Sequence, residues 1–133
     1  MPNVTVRYIV DDVDAAIAFY ADRLGFEEVM HPAPTFAMLV RGELRLVLSR
    51  PSSAPGGGQV VGDRVPQPGG WNRFALEVED VDAAFAELRR HDVAFRGPIV
   101  DGVGGRQVIA EDPSGNPVEL FQPTIPEARL DAR

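Results

Sequence analysis

Nine residues near the start of the chain, Val10-Asp11-Asp12-Val13-Asp14-Ala15-Ala16-Ile17-Ala18, return 68 positions later as Val78-Glu79-Asp80-Val81-Asp82-Ala83-Ala84-Phe85-Ala86, with seven of the nine unchanged. Self-similarity at about half the length of a 133-residue chain points to one structural unit used twice, and it fixes the architecture before any local reading is made. A chain of this size folds as one compact domain over residues 1–133, able to bury about 68 % of the surface its unfolded form exposes.

Each copy of the repeat sits between a strand and a helix. Residues 4–10 alternate as a strand, with Val4, Val6 and Tyr8 on one face and Thr5, Arg7 and Ile9 on the other. Asp12 is a natural N-cap, Val13, Ala16, Ile17, Tyr20 and Leu24 follow as one apolar helical stripe, and Gly25 supplies the positive-φ stop. Strands are then expected at 26–30, 35–40 and 44–49, the last two joined through Arg41-Gly42-Glu43. The second half repeats the plan: a strand over 71–78, a helix capped by Asp80 with Val81, Ala84, Phe85 and Leu88 inward, a strand over 93–96, and a hairpin of 106–111 with 118–121 about Asp112-Pro113-Ser114-Gly115-Asn116-Pro117.

The modules thus span about 3–50 and 71–123. Between them, residues 51–70 hold six Gly and four Pro and no apolar period, and read either as a plain linker or as a lid over a site. The polar tail, 124–133, is expected to fray.

A strand-helix-strand-strand-strand unit cannot cover both faces of its own sheet. Two copies are expected to make an α+β fold, a curved mixed sheet with its helices outside and a concave cup inside, into which alternate residues of corresponding strands point. The offset of 68 carries Thr5 to Arg73, and matching the hairpin exits Pro51 and Pro123 carries Val47 to Glu119. Thr5, Val47, Arg73 and Glu119 form the symmetric set.

Composition excludes several functions. There is no cysteine, hence no thiol catalysis or thiolate ligand, and His31 and His91 are the only imidazoles. A net charge of −7 without a basic cluster argues against nucleic acid as a partner. No apolar run reaches the length of a membrane span and no signal-peptide pattern opens the chain, so a cytoplasmic protein is expected.

The runs Asp12-Val13-Asp14-Ala15-Ala16-Ile17-Ala18-Phe19-Tyr20 with Leu24-Gly25-Phe26, the echo from Asp80, and Glu111-Asp112-Pro113-Ser114-Gly115-Asn116-Pro117-Val118-Glu119-Leu120 resemble the vicinal oxygen chelate superfamily, that of glyoxalase I, bleomycin resistance proteins, extradiol dioxygenases and fosfomycin resistance enzymes. The resemblance covers residues 4–122. It implies two βαβββ modules, a homodimer, and, in metal-dependent members, His, Gln or Glu ligands on the first strand of each module with a Glu after the Asp-Pro-x-Gly turn. Carried onto this chain, those seats are Thr5, Val47, Arg73 and Glu119, and only Glu119 keeps a ligand type. A guanidinium about 4 Å from a divalent ion repels it by roughly 8 kcal/mol at an effective dielectric near 20, before screening. No cofactor is therefore expected, and a divalent metal is disfavoured.

Arg73 and Glu119 lead the candidate residues: Glu119 orients the guanidinium, whose spare donors take a ligand carboxylate, phosphate or enolate, or else the two form a structural ion pair where a metal site decayed. Arg7 shares the inward face with Thr5 and adds a second cation or snorkels to a rim. Trp71 stacks on a planar ligand or covers the loop, and His31 is a candidate general base or a solvated side chain. His91 suits a helix C-terminus, and Gly102, Gly104 and Gly105 match no phosphate loop. Two functions follow: metal-independent binding of a small organic molecule such as an antibiotic or metabolite, anionic or planar; or a glyoxalase-like lyase or isomerase, or a dioxygenase-type enzyme, using Glu119 as catalytic base or sole family ligand, with any metal completed from outside the set.

Overall fold

The computed structural model describes residues 2–132, and Arg133 of the tail lies outside the described residues. The first half runs β1 (Val4–Ile9), α1 (Val13–Leu24), β2 (Glu27–Ala33), β3 (Phe36–Arg41) and β4 (Leu44–Ser49), in a sheet of order β1-β4-β3-β2. β1 lies parallel to β4 and the other pairs are antiparallel. The second half runs β5 (Ala75–Glu77), α2 (Val81–Arg90), β6 (Ala94–Phe95), β7 (Val100–Gly102), β8 (Gly105–Glu111) and β9 (Pro117–Pro123), in the order β5-β9-β8-β6, with β7 also on β8 and β5 parallel to β9. This is α+β, a βαβββ plan executed twice, with one further short strand, β7, in the second copy.

Contacts gather the chain into two compact units. The first holds the elements up to β4 and the segment through Gly69, together with Pro113–Asn116; the second holds Gly70–Asp112 and the chain from Pro117 on.

In the first unit the helix is set by its ends. Asp12 accepts from Ala15 N at 3.1 Å, and Gly25, at φ 72°, closes the last turn by donating to Tyr20 O. Val13, Ala16, Phe19, Tyr20 and Leu24 are buried beneath it, so Phe19 joins the expected stripe while Ile17 stays half-exposed. Leu39, Leu46 and Leu48 fill the sheet side of the core, and truncating a leucine so placed to alanine costs about 2–5 kcal/mol. The turn residues Ser114 and Asn116 belong to this unit by their bonds: Ser114 Oγ accepts from Asp11 N at 2.8 Å, and Asn116 donates to Ile9 O and accepts from Gly69 N, both at 2.7 Å.

In the second unit Asp80 caps α2 by accepting from Ala83 N at 3.0 Å, the same device at the same place in the repeat. Val81 and Leu88 are buried, but Ala84 and Phe85 are only half-covered, and Phe85 meets Phe95 at 4.6 Å. On the helix surface Arg106 bonds both Asp82 and Asp101, which holds the Asp82 carboxyl below the usual carboxylate range.

Several strand expectations change. The strand over 71–78 shortens to Ala75–Glu77, because Gly69 and Gly70 hold positive φ and the Trp71 carbonyl is taken by the Arg73 side chain. β2 runs on to Ala33 through two register shifts, a course open to an edge strand containing Pro32. The strand β7 appears because Gly102 pairs with Gly105 across a tight turn, a signal too short to read as a strand. The described part of the tail forms 3-10 turns at Pro126–Ala128 and Leu130–Ala132, with Thr124 N donating to Gly104 O and Leu130 N to Glu77 Oε1.

Candidate functional site

In the second unit the parallel register of β5 on β9 places Ala75 opposite Glu119, and Glu119 N donates to Phe74 O at 3.1 Å. Arg73 lies two residues before Ala75 and so points to the same face, beside Glu119. Its Nε donates to Glu119 Oε1 at 3.0 Å, its Nη2 reaches the same oxygen at 2.9 Å, and its Nη1 donates to Trp71 O at 3.1 Å. The two side chains retain 23 % and 16 % of their exposure, so the pair is largely withdrawn from water but still open on one side. A guanidinium has five N–H donors. Three are spent here, leaving two, and no hydrogen bond from the described residues reaches Glu119 Oε2.

Trp71, 67 % exposed, carries Arg96 over one ring face at 4.7 Å. Arg96 in turn bonds Glu111 Oε2 at 2.7 Å and Gly70 O at 2.5 Å. Trp71 therefore keeps one face for its own Arg partner and the other open. Sequence reasoning missed Arg96 and Glu111; their signal was the β6–β8 register, which sets Ala94 against Glu111, and that register depends on a two-residue strand.

In the first unit Thr5 accepts from Arg45 Nε at 3.0 Å, and Arg7 stands opposite Val47 in the β1–β4 ladder. Val47 is buried and offers no polar group. Arg7 is exposed and forms no ion pair among the described residues. His31 lies within β2, its Nε2 3.7 Å from an oxygen of Asp14, and His91 caps the end of α2 with its ring against Glu87 at 3.1 Å. Each ring is thus taken up on its own unit's surface. Among the described residues no three His, Asp or Glu side chains stand close enough to share a metal ion. Glu119 Oε1 already lies against a guanidinium, so the residues at the carried-over seats do not fit a divalent cation.

The chain belongs to the Glyoxalase/Bleomycin resistance protein/Dioxygenase superfamily, whose family model matches residues 4–120. Among solved structures it is similar to a member of that superfamily from Sphaerobacter thermophilus, at 28 % identity and TM-score 0.73, covering 92 % of this chain and 98 % of that one. It is similar to TnmS3, an antibiotic binding protein from Streptomyces sp. CB03234, at 27 % identity and TM-score 0.67, covering 93 % and 98 %. A lactoylglutathione lyase from Agrobacterium tumefaciens shares 25 % identity at TM-score 0.69, covering 90 % and 92 %. No curated protein matches the chain.

Among the described residues no helix is long and apolar enough to cross a membrane.

Proposed function

We propose that this protein binds a small organic molecule bearing an oxyanion, without a metal ion, and that Arg73 is the group that recognises the anion. The observation carrying this reading is that Glu119 and the Trp71 carbonyl fix the guanidinium while two of its donors stay unspent. A preoriented guanidinium loses little freedom on binding and can take a carboxylate or phosphate through both donors at once. The open face of Trp71, whose carbonyl anchors the same guanidinium, suits a planar body on the ligand. Thr5, Val47 and Arg7, on β1 and β4, are the ligand-binding candidates of the first unit. The likeness to an antibiotic binding protein supports a ligand of antibiotic or metabolite type. The reading further takes the protein as a cytoplasmic homodimer with no nucleic-acid partner.

A second reading rests on Glu119 Oε2, which no described donor occupies. It makes Glu119 the base of a lyase or isomerase, in line with the likeness to a lactoylglutathione lyase, or of a dioxygenase-type enzyme.

Thermal shift separates the two. A ligand at about 100 times its Kd stabilises the native state by about 2.7 kcal/mol. The proposal expects aryl carboxylates or phenyl phosphate to raise Tm in EDTA-treated protein and Arg73→Gln to abolish the rise. Stabilisation by Zn, Ni, Mn or Fe(II) alone, with none by oxyanions, overturns it in favour of the enzyme.

A further inference from the structure

Ser49 ends β4 with its hydroxyl in an unusual position. The residue is 2 % exposed, and Oγ is fully buried with no hydrogen-bond partner. A buried hydroxyl left unmatched is costly, and native proteins rarely keep one without a use. The group that covers it is Gly57. An ideal Cβ on Gly57 would fall 2.5 Å from Arg7 Cζ and 2.8 Å from Ser49 Oγ, so the guanidinium and the hydroxyl converge on one spot that only a glycine can cover.

Beside that spot lies a recess of about 310 Å³ within the same unit, at the lower end of small-molecule sites, bounded by Phe36, Ser49, Arg50, Ala54, Pro55 and the Gly56–Gly58 run. No Asp or Glu lines it, in a chain of net charge −7. Neither Arg7 nor Arg50 is ion-paired among the described residues. Two unpaired guanidinium groups, an orphan hydroxyl donor and an apolar wall describe a counterpart with a negative head and an apolar body.

We propose that this recess, within the first unit, is a binding site for a small organic oxyanion. The apolar body packs on Phe36 and Pro55. The carboxylate or phosphate accepts from Ser49 Oγ and Arg7 as the three consecutive glycines, Gly56 to Gly58, shift off the hydroxyl. Residues 51–58 are then the lid over the ligand. Serine and arginine can both donate to one oxyanion, and a neutral alcohol cannot replace it at the guanidinium.

The test is backbone amide chemical-shift mapping of the full chain with benzoate, phenyl phosphate, inorganic phosphate and benzyl alcohol, read at Thr35, Phe36 and Ser49–Gly58. Benzoate or phenyl phosphate should give saturable shifts at those amides, inorganic phosphate weaker ones, and benzyl alcohol none. Whichever of the two aryl anions binds tighter identifies the head group. Ser49→Ala and Arg7→Gln should each weaken aryl-anion binding by about tenfold or more. Ser49→Ala should leave Tm unchanged or higher, because it removes an unsatisfied buried group. Shifts confined to the amides around Arg73 and Glu119, equal shifts with benzyl alcohol, undiminished binding by Ser49→Ala, or a lowered Tm for that variant would each overturn the proposal.

Discussion

Arg73 delivers two of its donors, Nε and Nη2, to a single oxygen of Glu119, at 3.0 and 2.9 Å. Side-on engagement of one oxygen fixes the plane of the guanidinium while leaving donors for a third party.

The coupling between the two side chains is measurable by a double-mutant cycle. Glu119→Gln and Arg73→Gln, with the double variant, should show an interaction energy of about 1–2 kcal/mol in denaturant unfolding, more than an exposed pair because water is largely excluded. A coupling near zero would mean that the pair is no more than a surface contact.

The two helix caps should behave alike. Asp12→Ala and Asp80→Ala each remove a side-chain acceptor from the third residue on, and each should cost about 0.5–2 kcal/mol. Unfolding of the two variants at equal denaturant steps checks this; a cost for one and none for the other would show that the repeat preserves the letters without the function of the cap.

The caps also mark what was legible in the sequence. Asp12, Gly25 and Asp80 act through neighbours three to five residues away, so local chemistry sufficed to place them. Arg73 and Glu119 are 46 residues apart, and only the repeat, used as a ruler, put them together. Arg96 with Glu111 and Ser49 beneath Gly57 were not readable, since the first depends on a two-residue strand and the second on how an irregular, glycine-rich segment folds back. In the sequence Trp71 reads as stacking on a planar ligand or covering the loop, but its stacking partner in this structure is Arg96, whose position follows from that same short strand.

Acid should weaken the contact between Asp82 and Arg106. Its carboxyl is held low by the hydrogen bond from Arg106, so the folded state binds this proton more weakly than the unfolded chain. The pair's contribution is fully present above the ordinary carboxylate range and is lost as pH falls through the lowered folded value. Tm profiles of the protein and of Asp82→Asn should run at a constant separation above about pH 5 and converge below the range near 4 where free Asp titrates. A separation unchanged down to pH 2 would show that Arg106 gives Asp82 no pH-dependent support.

The central claim, metal-independent recognition of an oxyanion by Arg73, has a built-in reporter. Trp71 is the chain's single tryptophan, and its carbonyl holds Arg73. Titrating EDTA-treated protein with benzoate and phenyl phosphate while following tryptophan fluorescence should give a saturable change for at least one of them, lost in Arg73→Gln and unmoved by added Zn. A change that appears only when a divalent metal is supplied, or that persists in Arg73→Gln, would contradict the account.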